Sequence, residues 1–417
     1  METVIQGPGP GKDAALDIYL DHAATTPVHP DVVQAMLPFF TERGGNPSSV
    51  HHRGRAANQG LESARRAVAG VLGCRPREIV FTGGGSEADN LALKGAAYAH
   101  RTAGHATSHI ISIPIEHHAI GHTLDFLETQ GFAVTQVPVD STGRVSVADI
   151  ERAIRPDTCL ITVMYANNEI GTIQPIAEIG ALARRHGILF HTDAVQAGGA
   201  LPMRVADLNV DLLSLSAHKF YGPKGVGVLY VRTGTKIFPI LHGGAQEHSL
   251  RAGTENVPGI VGLAAAFTRA HARRAQEVAH VTALRDRLIA GIQARIPDAH
   301  LQGHPTERLP NNAAFCFAGC SGEDLLLMLD LAGICASSGA ACTAGSTQPS
   351  HVLIAIGTPL DLARGSLRLT LGAENTEAEI DYAVDTLERI VHELRTHRPH
   401  GAEAESHPAP AVTAGAV

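Results

Sequence analysis

The chain has 417 residues, 44% of them hydrophobic, and a formal net charge of −8. That is enough for a sizeable core in two domains, and an acidic balance with a pI of about 6.3 gives no support to a nucleic-acid surface, which needs dense positive charge. Six cysteines without a tight CxxC pair, no apolar run near the roughly 18 residues of a membrane span, and an N-terminus without a signal-peptide pattern point to a reducing compartment, read here as the cytoplasm.

In chain order, residues 1–17 are rich in Gly and Pro and read as loose. A short apolar run, "IYLDHAATTP", leads to a helix start at "HPDVVQAMLPFF". The polar, Gly-containing "RGGNPSSVHHRG" is expected to be a loop, and "NQGLESARRAVAGVLG" has helical spacing with Gly73 at its stop. An alternation follows. "EIVFT", "HIISIPI", "FAVTQVPV", "CLITVMYA", "ILFHTDA" and "VGVLYV" read as strands, with helices at "GGGSEADNLALKGAAYAH" and "IAEIGALARRHG" between them. Short apolar runs separated by helices predict an α/β fold with a mainly parallel sheet covered on both faces. A very long helical pattern, 261–296, with a break inside it left open, then links to a mixture of short strands and helices that ends in "NTEAEIDYAVDTLERIVHELR". The last twenty or so residues are of low complexity and are expected to form a disordered tail. Cys74, Cys159, Cys316 and Cys335 read as small buried hydrophobes.

Several stretches could carry chemistry. In "FTGGGSEADN" a strand runs into glycines and a helix N-terminus, a setting for a phosphate held by backbone N–H groups and the Ser86 hydroxyl; a plain helix cap by Ser86 is the ordinary alternative. Asp193 ends a strand, where it could pair with a protonated ring nitrogen or serve as a cap or salt-bridge partner. The chain has five lysines, and two lie in "SLSAHKFYGPKG". Lys219, at the end of an apolar run beside His218, is a better nucleophile candidate than Lys224, which stands at a turn. A phosphate cradle, an acid for a ring nitrogen and a lysine for an aldehyde together describe pyridoxal phosphate. Cys342 is centred in "CASSGAACTAGS", small and polar enough to be flexible, and is either a travelling nucleophile or an unremarkable loop thiol. A metal site with Cys335 is disfavoured by the wide spacing. Arg368 interrupts an alternating strand and either grips a carboxylate or faces water.

Ten motifs in order, among them "YLDHAATTP", "FTGGGSEADNLALKG", "EHHA", "NNEIGTIQPI", "HTDAVQ", "SAHKFYGPKG", "RAGTEN", "SSGAACTAGS" and "LRLTLG", resemble the pyridoxal-phosphate cysteine desulfurases of the class-V aminotransferase group, from about Tyr19 to Arg395. The resemblance implies the type I fold of pyridoxal-phosphate enzymes: a large domain (18–265) with a seven-stranded sheet, and a smaller α+β domain (266–396) that takes in part of the N-terminal segment, before the tail (397–417). It implies pyridoxal 5′-phosphate held covalently by Lys219, with Asp193 on the pyridine nitrogen, Gln196 on the phenolic oxygen, His117 stacked on the ring and moving protons, and Asn168 assisting cofactor and substrate. Gly85, Ser86, Ser216 and His218 would hold the phosphate, and Thr254 would reach the partner subunit's phosphate. Many relatives have Thr where Ser86 stands, so a hydroxyl is kept. Arg368 would bind the carboxylate of L-cysteine, and Cys342 would take its sulfur as a persulfide, with alanine as the second product. No resident metal is implied, although Cys342 could ligate an iron–sulfur cluster in transit. A homodimer is implied, handing sulfur to an iron–sulfur scaffold protein or to a carrier for tRNA thiolation, with no direct nucleic-acid or membrane partner. The alternatives are a selenocysteine or cystine lyase of the same cofactor group, which does not need Cys342, and a non-catalytic scaffold.

Overall fold

The computed structural model describes residues 17–105, 107–338 and 349–397; Cys342 and all but the first residue of the expected tail lie outside them. The strands in chain order are β1 (Ile18–Tyr19), β2 (Ile79–Thr82), β3 (His109–Ser112), β4 (Ala133–Gln136), β5 (Thr158–Thr162), β6 (Leu189–Asp193), β7 (Leu212–Ser216), β8 (Gly227–Val231), β9 (Ala299–Leu301), β10 (Asn312–Phe317), β11 (Ile334–Cys335) and β12 (Ser366–Thr370).

Seven strands form one sheet in the order β2-β8-β7-β6-β5-β3-β4. From β7 to β4 the neighbours are parallel, whereas β8 is antiparallel to both β7 and β2. The exception has a simple cause. The connection 217–226 is too short for a parallel crossover, which needs a dozen or more residues, so the chain turns straight back. Strand β2 consequently points the same way as β7, and the carboxyl ends of β2, β3, β5, β6 and β7 share one edge. Every residue of β2, β3, β5, β7 and β8 is buried, as a sheet covered by helices on both faces requires.

A second core gathers Ile18 and Leu20 with Leu284, Leu288 and Ile292, with Phe315 and Phe317, and with Ile380, Leu387 and Ile390 of the helix Glu377–Thr396. Its three-stranded antiparallel sheet has the order β12-β10-β9. The N-terminal segment joins this core through the parallel pair β1-β11. The question of a break in the long helix is closed: Val257–Arg295 is one continuous helix of 39 residues. Its first half packs Ile260, Leu263 and Phe267 in the larger core, and its second half lies in the smaller one. Two of the cysteine expectations need correction. Cys159 and Cys316 are buried, but Cys74 and Cys335 are only half-buried. Cys74 follows the helix-ending Gly73, and Cys335 sits on the two-stranded β1-β11 ribbon.

One ion pair ties a distant segment to β2. Arg65 donates to both carboxylate oxygens of Glu247, at 2.7 and 2.9 Å, and to Ile79 O at 2.7 Å, while Phe81 N–H donates to Glu247 Oε2 at 2.8 Å. A few residues on, Arg251 Nε pairs with Glu87 Oε1 at 2.9 Å. The segment that carries Thr254 is thereby tied to the turn after β2. Both members of the Arg65–Glu247 pair are buried. Glu247→Ala therefore strands a buried guanidinium and is expected to cost about 3–5 kcal/mol in chemical denaturation of the cofactor-free protein. A loss below about 1 kcal/mol would mean that the pair behaves as a surface contact.

Candidate active site

The shared carboxyl edge opens into a cavity of about 270 Å³. Its lining includes Ala23, Ala24, Gly85, Ser86, Asp89, His117, Asn168, Asp193, Gln196, Ser216, His218, Lys219 and Arg368. Nearly all of the residues singled out from the sequence therefore meet in one place. Ligands of open α/β sheets bind at such an edge because loops diverge there.

Lys219 ends a single 3₁₀ turn, Ala217–Lys219, directly after β7. Its Nζ donates to Ala23 O at 2.5 Å and to Ala24 O at 2.7 Å, so the segment after β1 folds over the amine. The same segment is pinned by Thr26 N–H to His218 O at 2.9 Å and by Gln196 Nε2 to Ala23 O at 2.9 Å. Lys224 is exposed and does not line the cavity, as expected of a turn lysine.

Asp193 is the last residue of β6 and is 5% exposed. Burial pushes its carboxyl up to about 6, while the Val195 N–H donated to Oδ1 at 2.8 Å and the nearby Lys219 charge pull the other way. His117 caps the helix His118–Thr129, and its Nδ1 accepts the Ala119 N–H at 3.1 Å. A neutral ring with Nδ1 so engaged carries its proton on Nε2. Burial, and then the Lys219 charge, push this imidazole down to about 4.

The helix Gly85–Thr102 begins at the glycine turn, and its cap is Gly84. Ser86 is therefore not the N-cap that the ordinary alternative required. A Cβ on Gly85 would stand 2.8 Å from Val195 Cγ2, and one on Gly227 would stand 2.6 Å from the Gly84 carbonyl carbon. The backbone of the turn is thus held close to β8 and to the loop after β6. Ser216 is buried beside it, and His218 Nδ1 lies 3.2 Å from Thr25 Oγ1. Thr254 is exposed and does not line this cavity.

Arg368 is 4% exposed, so it does not face water. It lies on β12, whose outer edge is covered by bridges to Ser337 and to Asp21. Its Nη2 donates to Asp21 Oδ1 at 3.0 Å and its Nη1 to Asn168 O at 3.1 Å, while Nε has no partner among the described residues. Sequence reasoning missed Asp21, although the acid in "YLDHAATTP" stands just past the first strand. It also missed the buried acids Asp89 and Glu116, whose positions in helix-like and polar stretches gave no signal.

The donor set fits pyridoxal phosphate. A glycine turn at a helix N-terminus, a buried acid and an amine line one cavity, and the close approach of Val195 leaves no room for a side chain on Gly85. The comparisons point the same way. Residues 18–383 match the family described as Aminotransferase class-V. The chain is 50% identical to a cysteine desulfurase IscS of Dictyoglomus turgidum, over 93% of this chain and 98% of that protein. It is 53% identical to one from Methanosarcina thermophila, over 92% of this chain and 94% of the other. A solved structure of a NifS-like protein, 39% identical, superposes with a TM-score of 0.85 over 91% of this chain and all of that one.

Two outcomes follow from the geometry. Gly227→Ala forces the Gly84 backbone outward, and overpacking of about 1–3 kcal/mol should weaken cofactor affinity by about 10- to 100-fold in reconstitution titrations. Unchanged affinity would show that the turn is not held against β8. His22, His117 and His218 are each pushed down to about 4, burial being the largest cause, so they should remain neutral at pH 6. Ring-carbon NMR of histidine-labelled, cofactor-free protein reads this directly, and midpoints near the ordinary value of about 6.5 would contradict it.

Proposed function

We infer that the chain, which belongs to the class-V aminotransferase family and takes pyridoxal 5′-phosphate as its cofactor, is a cysteine desulfurase. It converts L-cysteine to L-alanine and passes the sulfur on as an enzyme persulfide. The observation that carries the residue assignment is the meeting of Lys219, Asp193, His117 and Arg368 in one cavity.

When bound, pyridoxal phosphate supplies an electron-withdrawing ring that loosens bonds next to the substrate's α-carbon. The chain's own residues do the rest. Lys219 would be the amine for the cofactor's aldehyde, and from its place in the cavity it could move protons at the substrate. Asp193, buried and with its Oδ1 already committed to Val195 N–H, offers its other oxygen to the ring nitrogen. Gln196 stands for the phenolic oxygen. Gly85, Ser86, Ser216 and His218 provide N–H and hydroxyl donors for the phosphate. His117, neutral with its proton on Nε2, would stack on the ring and could hand that proton on. Arg368, oriented by Asp21 and the Asn168 carbonyl, presents its fork to the substrate carboxylate, and Asn168 assists. The Cys342 thiolate takes the sulfur as the carbon–sulfur bond breaks.

We further propose a division into a large domain (18–265) and a smaller one (266–396), a cytoplasmic location, and a homodimer in which Thr254 reaches the partner's phosphate. The exposure of Thr254 and the apolar side chains Val33, Leu37 and Phe40 exposed along the first helical segment support the dimer. The sulfur acceptor is proposed to be an iron–sulfur scaffold protein or a sulfur carrier.

Cys342→Ser should abolish both the persulfide mass at that position and alanine release from L-cysteine. Alanine release that continues would instead favour a selenocysteine or cystine lyase. Arg368→Lys should lower kcat/KM for L-cysteine by about 10- to 100-fold, the worth of a charge-assisted fork to a carboxylate. An unchanged kcat/KM would remove Arg368 from substrate binding.

A further inference from the structure

Near Asp193 lies a second carboxyl that the reaction does not use. Asp89, on the helix Gly85–Thr102, is 1% exposed and lines the cavity, yet its Oδ1 has no hydrogen-bond partner among the described residues. Asp89, His117 and Asp193 each place a ligating atom within 4.8 Å of the others.

Among the described residues, no cation is among the groups that act on Asp89. His191 Nε2, from β6, is 3.7 Å from Asp89 Oδ1. That contact is not an ion pair. Both ring nitrogens of His191 lie on hydroxyls, Thr162 Oγ1 at 2.9 Å and Ser214 Oγ at 3.0 Å, and complete burial pushes the ring down to about 3. His117 is neutral for the reasons given above. The other neighbours are a hydroxyl, Ser214 of β7, and two acids, Asp193 and the 4% exposed Glu116. Lys219 draws on Asp193.

Several buried carboxyls so close together cannot all ionise. Asp193 has the Val195 N–H, the Lys219 charge and, in the reading above, the ring nitrogen to favour its anion. Asp89 has none of these; a hydrogen bond with the Ser214 hydroxyl favours its anion, but burial, followed by the Asp193 charge, outweighs it and pushes the Asp89 pKa well above the usual carboxylate range. We propose that Asp89 is a positioning residue of the ring-nitrogen site: a proton-bearing carboxyl, close to Asp193 in the cavity wall, that keeps the negative charge on Asp193. The inference rests on the reading of Asp193 as the partner of the ring nitrogen.

The test compares Asp89→Asn, Asp89→Leu and Asp89→Ala by cofactor Kd in reconstitution titrations and by the pH dependence of the bound cofactor's visible band. Asn keeps a donor without charge, Leu keeps only volume, and Ala keeps neither. Leu and Ala should raise Kd about tenfold or more, the worth of a hydrogen bond to a charged group, and should shift the band's pH midpoint. Asn should restore Kd to within about threefold and return the midpoint. If Asn is as weak as Ala, Asp89 acts as a charge, and if Leu matches Asn, it acts only as volume; either result overturns the proposal. A readout free of cofactor is the infrared carbonyl stretch of protonated carboxylic acids in the cofactor-free protein. Part of that band should vanish in Asp89→Asn, and an unchanged band overturns the proposal even if the other variants fail to fold. Asp193→Asn separates the two readings. If it leaves Kd unchanged, the assignment of Asp193 falls and takes Asp89 with it. If it weakens binding while the three Asp89 variants behave alike, only the proposal for Asp89 falls.

Discussion

Two backbone carbonyls hold the Lys219 amine, and the arrangement of the cavity depends on that contact. Ala23 O and Ala24 O, at 2.5 and 2.7 Å, belong to the segment that follows β1. Strand β1 itself pairs with β11 in the second core. The amine at the edge of the large sheet is therefore fixed by chain from the smaller assembly. Arg368 repeats the pattern in the other direction: it sits on β12 and donates to Asn168 O of the loop after β5. Two cations, each bound by groups from across the junction, align the two cores over one cavity.

The second organising fact is electrostatic. Asp89, Glu116 and Asp193 are all buried near one another, and burial raises the pKa of each. Such a cluster is costly unless most members are neutral. Histidines around it are pushed the opposite way, so the imidazoles offer no permanent charge. The signs oppose each other in stability as well. A depressed His loses stability as pH falls through its unfolded value of about 6.5, while a raised acid gains stability as pH falls below its folded value. The protein's overall acid stability is thus a poor reporter of the site, whereas individual groups are good ones. Asp193 is the exception in the cluster, because a backbone N–H and a nearby lysine both favour its anion.

Much of this was legible in the residues. Strand ends carry chemistry in a parallel sheet, so Asp193, Lys219 and the glycine turn could be placed from apolar runs that stop at polar residues. Glycine after a helical pattern marked the stop at Gly73, where φ is 67°. What was hidden depended on tertiary contacts. Arg368 alternates as an exposed strand residue would, but Ser337 and the N-terminal segment cover its edge. Asp89 looks like any polar position on an amphipathic helix, and it is the packing of that helix on the large sheet that buries it. Asp21 orients Arg368 across a separation that no local pattern reports. The continuous helix Val257–Arg295 spans both cores, and its sequence carries no marker of the handover between them.

The central claim is that Lys219 is the amine that takes up the cofactor's aldehyde. Borohydride reduction of the cofactor-loaded protein, followed by proteolysis and peptide mass mapping, tests it most directly. The account predicts a pyridoxyl-phosphate mass increment that peptide fragmentation places on Lys219, and none on Lys12, Lys94, Lys224 or Lys236. An increment on any of those four with Lys219 unmodified would contradict it, and the roles given to Asp193, His117 and Arg368 would fall with it.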